Sequence, residues 1–224
     1  MPARLRLFAK IPKMASAKGL FIVLEGPDKS GKSTQARLLV DRLRGLGYAV
    51  EHTREPGGTS IAEAVRRVVL SPEHRVDAVA ELLLYEAARA QHTAEKLRPW
   101  LAESRIVVCE RYTLSTVVYQ GYGRGLNLKL VETANNLATG GLKPDLTFVF
   151  DIPDEEFGAR DSARVHDRLE SEPKAFRARV RAGYKKVTAP GLVRLDGRLP
   201  VDELQAELLK RILPKLKAAT KVRT

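Results

Sequence analysis

The chain has 224 residues, 44% apolar and 29% charged, with a formal net charge of +12 at pH 7. This composition suits a soluble globular protein with one α/β domain, and no apolar run approaches the roughly 18 to 20 residues of a membrane-spanning helix. One cysteine excludes a disulfide framework, and His52, His74, His92 and His166 have no zinc-type spacing, so the chain reads as reduced, cytoplasmic and without a structural metal.

In chain order, residues 1–18 come first, with Arg4, Arg6, Lys10, Lys13 and Lys18 and no acid. They read as a disordered basic extension or as an early start ahead of Met14. The alternative is an amphipathic targeting peptide, which would make the protein organellar. Gly19–Glu25 is an almost unbroken apolar run, the pattern of a strand buried on both faces. Lys32–Leu46 has helical apolar spacing ended by Gly45 and Gly47. Tyr48–Thr53 follows as a strand, with helices over roughly 59–70 and 77–102. Arg105–Cys109 is a third strand, 127–139 a helix and Leu146–Phe150 a fourth strand. Residues 153–189 are polar and helical, Leu192–Leu195 is a short last strand, and 200–217 is a closing helix. Residues 210–224 form a second acid-free basic stretch, read as a tail. The body between the two ends is close to neutral, so no nucleic-acid groove is implied and no specific nucleic-acid or membrane partner is expected. Trimming both ends is expected to leave the working domain, residues 19–209, intact.

Strands alternating with helices predict a three-layer α/β/α fold on a five-stranded parallel sheet. Ligands of such sheets bind at the carboxyl ends of the strands. Gly26-Pro27-Asp28-Lys29-Ser30-Gly31-Lys32-Ser33 stands at that edge, between a buried strand and a helix, and matches G-x-x-x-x-G-K-[ST]. Its backbone N–H groups and the helix start would cradle phosphates through Thr34. Lys32 would reach the β- and γ-phosphates, and Ser33 would ligate magnesium. This is a nucleoside triphosphate site of the phosphate-loop class. After the second strand, Arg54-Glu55-Pro56-Gly57-Gly58 forces a turn that presents Arg54 at the same edge. After the third, Glu110-Arg111-Tyr112 offers an acid for metal and an arginine for phosphate. Tyr85 and Arg89, four apart, share a helix face and suit stacking on a base and bonding to its edge.

These segments, with Leu114-Ser115-Thr116, Tyr119-Gln120-Gly121 and Lys143-Pro144-Asp145-Leu146-Thr147, resemble the thymidylate kinase family over nearly all of 19–209. The resemblance implies phosphoryl transfer from MgATP to dTMP in dTTP synthesis, carried out by a homodimer. It implies that Arg54 and Arg111 hold the acceptor phosphate, that Tyr85 stacks on thymine, and that Arg89 bonds a ring carbonyl. Thr116 would read the ring N–H, and Tyr119 would crowd a ribose 2′-hydroxyl. Ser115 and Gln120 belong to the same substrate-binding set. Asp28 would lie near the 3′-hydroxyl and the transferring phosphate, and Glu110 would hold the magnesium water shell. Residues 158–172 resemble a lid, with Arg160, Arg164 and Asp167-Arg168-Leu169-Glu170. The catalytic cation is open between Lys29 in the loop and Arg160 or Arg164 in the lid. The lid is about one residue shorter than in bacterial relatives, and Pro27 stands where a small or branched residue is usual. A kinase for another nucleotide or deoxynucleoside, and a nucleotide-dependent switch, are the alternatives; the chain has no Asn-Lys-x-Asp guanine reader.

Overall fold

The computed structural model describes residues 19–153, 156 and 167–221, with side chains of the closing helix described as far as Leu216. Among these residues, β1 (Leu20–Glu25), β2 (Val50–Arg54), β3 (Ile106–Glu110), β4 (Leu146–Asp151) and β5 (Leu192–Asp196) form one sheet. It is parallel throughout, in the order β2-β3-β1-β4-β5. Helix α1 (Lys32–Gly45) follows β1. Helices α2 (Ser60–Leu70), α3 (Ala78–His92) and α4 (Arg98–Ala102) link β2 to β3, and α5 (Thr113–Thr116) and α6 (Leu128–Thr139) link β3 to β4. Helix α7 (Lys174–Lys186) precedes β5 and α8 (Val201–Lys221) follows it. The predicted three-layer architecture is the one observed.

All six residues of β1 are buried, as a central strand covered on both faces requires. Because side chains alternate across a strand, its residues divide between two cores. Leu20, Ile22 and Leu24 meet Leu39 and Leu43 of α1 and Leu208 and Ile212 of α8. Phe21 and Val23 face Leu97 and Tyr112 on the other side. On that second face Val149 of β4 joins Val118, Tyr119, Phe176 and Tyr184. The chain leaves β1 to one side and, after β3, crosses to the other, which opens a crevice at the carboxyl ends of these strands. Register aligns that rim: Leu24 pairs with Glu110, and Glu110 with Arg54.

Three predicted boundaries change. The helix expected over 77–102 is broken by a wider π-type turn at Thr93–Leu97, just before Pro99, which has no N–H for the helical ladder. A second such turn, Val117–Gly123, extends α5. Of the helix expected over 153–189, the described residues form only α7: residues 167–173 are turns and 187–189 irregular, while 154–155 and 157–166, with Arg160 and Arg164, lie outside the described residues. The stretch from residue 210 is not a tail, since α8 continues to Lys221. Leu208, Ile212 and Leu216 recur every fourth residue and are buried in the core, while Lys210, Arg211 and Lys215 lie on the outer face.

Trimming at residue 209 is therefore expected to harm the fold, contrary to the sequence reading. Ile212 and Leu216 are each worth about 1.5–3 kcal/mol of burial. Deletion of 210–224 should lower the urea midpoint clearly; an unchanged midpoint would rule out this packing role.

Candidate active site

The phosphate loop leaves β1 at Gly26, whose φ of 139° and position exclude a side chain: a Cβ there would lie 2.5 Å from the Phe150 carbonyl oxygen. Asp28, Lys29, Gly31, Lys32, Ser33 and Thr34 line a cavity of about 550 Å³ at the strand ends. Gly26, Pro27 and Ser30 are not on its wall. Lys32 Nζ donates to the Pro27 carbonyl at 2.6 Å and to Ser30 Oγ at 3.3 Å. Burial and nearby Arg111 push the Lys32 ammonium down to about 7, against the pull of Asp28, Glu25 and Glu110. A phosphate anion at this nitrogen would favour the charged form again.

Glu110 and Arg54 stand on the rim of the same cavity. Ser33 Oγ donates to one Glu110 oxygen, and His52 Nε2 lies 3.0 Å from the other. Burial alone would raise the Glu110 carboxyl, but His52 and Ser33 hold it below its ordinary value. Arg54, about half exposed, donates to both oxygens of Glu63 at 3.2 and 3.3 Å. Glu63 also accepts from the Gly58 N–H at 3.0 Å, so the turn after β2 positions the arginine.

A smaller cavity of about 90 Å³ adjoins this one. Asp28, Glu55, Arg66, Arg111 and Asp167 line both. Arg111 stands at the junction with φ of 68°, a left-handed conformation costing a non-glycine residue on the order of 1–2 kcal/mol. Its Nη2 donates to Asp28 Oδ1 at 2.6 Å and to Tyr119 Oη at 3.2 Å. Its Nη1 donates to Ser115 Oγ and to Tyr184 Oη, both at 3.2 Å. Tyr119 in turn donates to Asp28 Oδ2 at 3.2 Å. Burial would raise the Asp28 carboxyl, yet Arg111, Lys32 and Tyr119 together keep it below its usual range.

Tyr85, Arg89, Ser115, Thr116, Tyr119 and Gln120 line the inner cavity, so the shared helix face of Tyr85 and Arg89 does turn inward. Burial pushes the Tyr85 phenol well above its ordinary value. Arg89, 3% exposed, is held from all sides. Its Nε donates to Glu55 Oε2 at 2.7 Å. Its Nη1 contacts Glu86, Thr116 Oγ1 at 2.7 Å and Asn135 Oδ1 at 2.9 Å, and its Nη2 donates to the Tyr112 carbonyl at 3.2 Å. Glu55 also accepts from His92 Nδ1 at 2.9 Å, while Thr53 Oγ1 lies 2.8 Å from His92 Nε2. Gln120 points behind the wall and donates to Glu81 at 2.8 Å.

Several residues that shape the site were not candidates in the sequence. Glu55, Glu86 and Asn135 fix Arg89, and Tyr184 touches Arg111. Arg66 and Leu70 help close the inner cavity, alongside Asp167 and Leu169 of the segment that the resemblance had marked as a lid. Glu25 accepts from the Tyr112 N–H at 2.8 Å, from the Ser115 N–H at 3.1 Å, from Ser115 Oγ at 2.6 Å and from Tyr184 Oη at 3.1 Å. One signal was available for it, because a carboxylate ending a continuous apolar strand must be satisfied by buried donors. Asn135 and Tyr184 carry no such mark. Cys109 is buried, its thiol raised first by burial and then by Glu55, which matches a packing role.

Comparison with known proteins shows the family. A family model described as thymidylate kinase matches residues 24–208. A thymidylate kinase of Pseudomonas fluorescens (strain SBW25) is 47% identical over 203 residues, covering 88% of this chain and 96% of that protein. One from Synechococcus sp. (strain JA-2-3B'a(2-13)) is 45% identical over 204 residues, covering 90% and 98% respectively. The crystal structure of thymidylate kinase from Ehrlichia chaffeensis superposes with a TM-score of 0.70 at 32% identity, covering 86% of this chain and 98% of that one. A phosphate loop beside an aromatic, arginine-floored cavity, joined at Arg111, thus stands in a chain that belongs to the thymidylate kinase family.

Proposed function

We propose that the protein transfers the γ-phosphoryl group of MgATP to the 5′-phosphate of dTMP, giving dTDP and ADP. The observation that carries this reading is the junction of the two cavities at Asp28 and Arg111. The triphosphate would lie along the phosphate loop in the outer cavity and the nucleoside of dTMP in the inner one. The two phosphates then meet beside Arg111. Asp151, Arg194 and Arg198 line a further cavity of about 350 Å³ past the strand ends. That cavity suits the donor's nucleoside.

In this reading the transition state spreads charge over phosphoryl oxygens, and fixed cations stabilise it. Lys32 takes the β- and γ-phosphates, and Arg54 and Arg111 hold the acceptor phosphate. Lys29 stays a candidate for the further cation, as do Arg160 and Arg164. The acceptor is already an anion, so no general base is required. Ser33 and Glu110 present hard oxygen donors in mutual contact on the outer cavity, a set that fits a small divalent cation. Ser33 would hold magnesium directly and Glu110 through its water shell. When bound, the ion would neutralise charge shared by the phosphates.

At the acceptor end Tyr85 would stack on thymine. Arg89 has a second N–H on Nη2 beyond the one given to Tyr112, which suits a ring carbonyl. Thr116 Oγ1, already accepting from Arg89, would face the ring N–H. Tyr119, tied to Asp28, would exclude a 2′-hydroxyl, with Ser115 and Gln120 completing the wall.

No helix of the described residues is long and apolar enough to cross a membrane, and a buried free thiol suits a reducing, ATP-supplied compartment such as the cytoplasm. Ile61 and Val68 of α2, Val79 and Leu83 of α3, and Leu130 and Leu137 of α6 are exposed on helices that contact one another in series. This apolar surface supports a homodimer.

A coupled ADP-release assay with dTMP, dUMP, CMP and thymidine should give dTMP the highest kcat/KM; thymidine outpacing dTMP would overturn the reading. Arg111→Ala should lose on the order of 3–4 kcal/mol of transition-state stabilisation, a few hundred-fold in kcat. Near-normal turnover would remove Arg111 from the mechanism. Light scattering should report a dimer, and Leu83→Glu, at a position 60% exposed, should shift it toward monomer. If both proteins ran as monomers, the interface would be wrong.

A further inference from the structure

Glu81 lies in α3, one helical turn before Tyr85, and is wholly buried. It touches no wall of either cavity, yet three segments converge on it. Gln120, in the turn after α5, donates to its Oε1 at 2.8 Å. Arg124 donates to Oε1 from Nε at 3.1 Å and to Oε2 from Nη2 at 2.9 Å. Arg168 Nη2 pairs with Oε2 at 2.6 Å. Arg124 Nη2 also pairs with Glu172 at 2.6 Å. Arg168 belongs to the strap 167–172, and its backbone and Nε donate to the carbonyls of Leu70 and Val69 at the end of α2, at 3.0 and 2.8 Å.

Gln120 and Arg168 bring the network to the walls of the inner cavity. Gln120 itself lines it, as do Tyr85 on Glu81's own helix, Leu70 beside Val69, and Asp167 and Leu169 on either side of Arg168. The network therefore joins the helical walls to the strap that closes them. Two arginines are balanced by two carboxylates, and the buried member, Glu81, holds both. Burial would raise its carboxyl, but the donors Arg124, Gln120 and Arg168 keep it below its ordinary value.

We propose that Glu81 is a positioning residue for the acceptor nucleotide: it latches the strap 167–172 to α2, α3 and the turn after α5, so that the inner cavity keeps its outer wall. The proposal rests on reading that cavity as the dTMP site. Glu81→Gln keeps the volume and removes the charge both arginines need. Loosening the strap should weaken dTMP more than ATP: Asp167 and Leu169 wall the inner cavity, and although Asp167 and Glu170 also reach the outer one, the phosphate loop there is built on β1 and α1.

Two readouts on the full chain test this. Tryptic cleavage after Arg168, followed by mass spectrometry, should accelerate about tenfold in Glu81→Gln, and the KM for dTMP should rise about tenfold, while kcat and the KM for ATP stay within about threefold of wild type. Unchanged cleavage and unchanged dTMP KM would overturn the proposal. So would an equal fall in kcat/KM for dTMP and for ATP, with a fall in kcat and in the melting temperature, which marks a general structural role. Should Glu81→Gln fail to fold, Arg168→Gln leaves the Glu81–Arg124 pair and carries the same expectation for the dTMP KM. If wild type fails to phosphorylate dTMP, the functional reading falls, and the cleavage rate still judges the latch.

Discussion

A buried carboxylate at the end of β1 organises the ligand edge. Glu25 has no exposed surface and precedes the first glycine of the phosphate loop. It is satisfied by donors from two other segments, Tyr112 and Ser115 after β3 and Tyr184 in α7. A charge in that position without them would cost several kcal/mol, so the strand end and the segment carrying Arg111 must be brought together correctly. Ser115 and Tyr184, the hydroxyl donors to Glu25, are also acceptors for Arg111. Thus a single carboxylate couples the phosphate loop to the arginine between the cavities and helps hold that arginine in a left-handed backbone conformation.

The inner cavity follows the same rule with opposite sign. Arg89 is buried between Glu55 and Glu86 and further held by Thr116, Asn135 and a backbone carbonyl. Burial raises the Glu86 carboxyl while Arg89 pulls it down. Well-packed apolar residues would often stabilise such a place as well or better. The benefit of the charged cluster is directional: a guanidinium held at every corner presents its remaining N–H along one line, so recognition needs little reorganisation. Glu81 repeats the device farther out, with two arginines on one carboxylate. Buried ion networks hold the inner cavity, whereas the phosphate loop relies on backbone curvature at glycines.

Much of this was legible in the chain. Phosphate binding was readable because its parts are contiguous: a buried strand, a glycine-rich turn and a helix start within about a dozen residues. Tyr85 and Arg89 were readable because helical geometry places positions four apart on one face. Arg54 and Arg111 were readable because each stands at the end of a strand, and parallel strands bring their carboxyl ends to one edge. Glu55 sat in a recognised motif but was overshadowed by Arg54; its two buried partners, Arg89 and His92, lie 34 and 37 residues away. Nothing local marks Asn135 as a partner of Arg89, 46 residues distant, or Tyr184 as one of Arg111. The basic run from residue 210 misled because charge was weighed above period, although Leu208, Ile212 and Leu216 continue the four-residue apolar rhythm of α8.

By itself the sequence determined the order of strands and helices, the phosphate loop, and the edge at which Arg54 and Arg111 emerge, because each of these depends on neighbours within a few residues. Only the tertiary structure decided that the phosphate loop and the aromatic cavity adjoin at Asp28 and Arg111, and which carboxylates hold Arg89, Arg124 and Arg168. Those pairings are made across tens of residues by sheet register and helix packing, and burial leaves each charge no solvent to substitute for its partner.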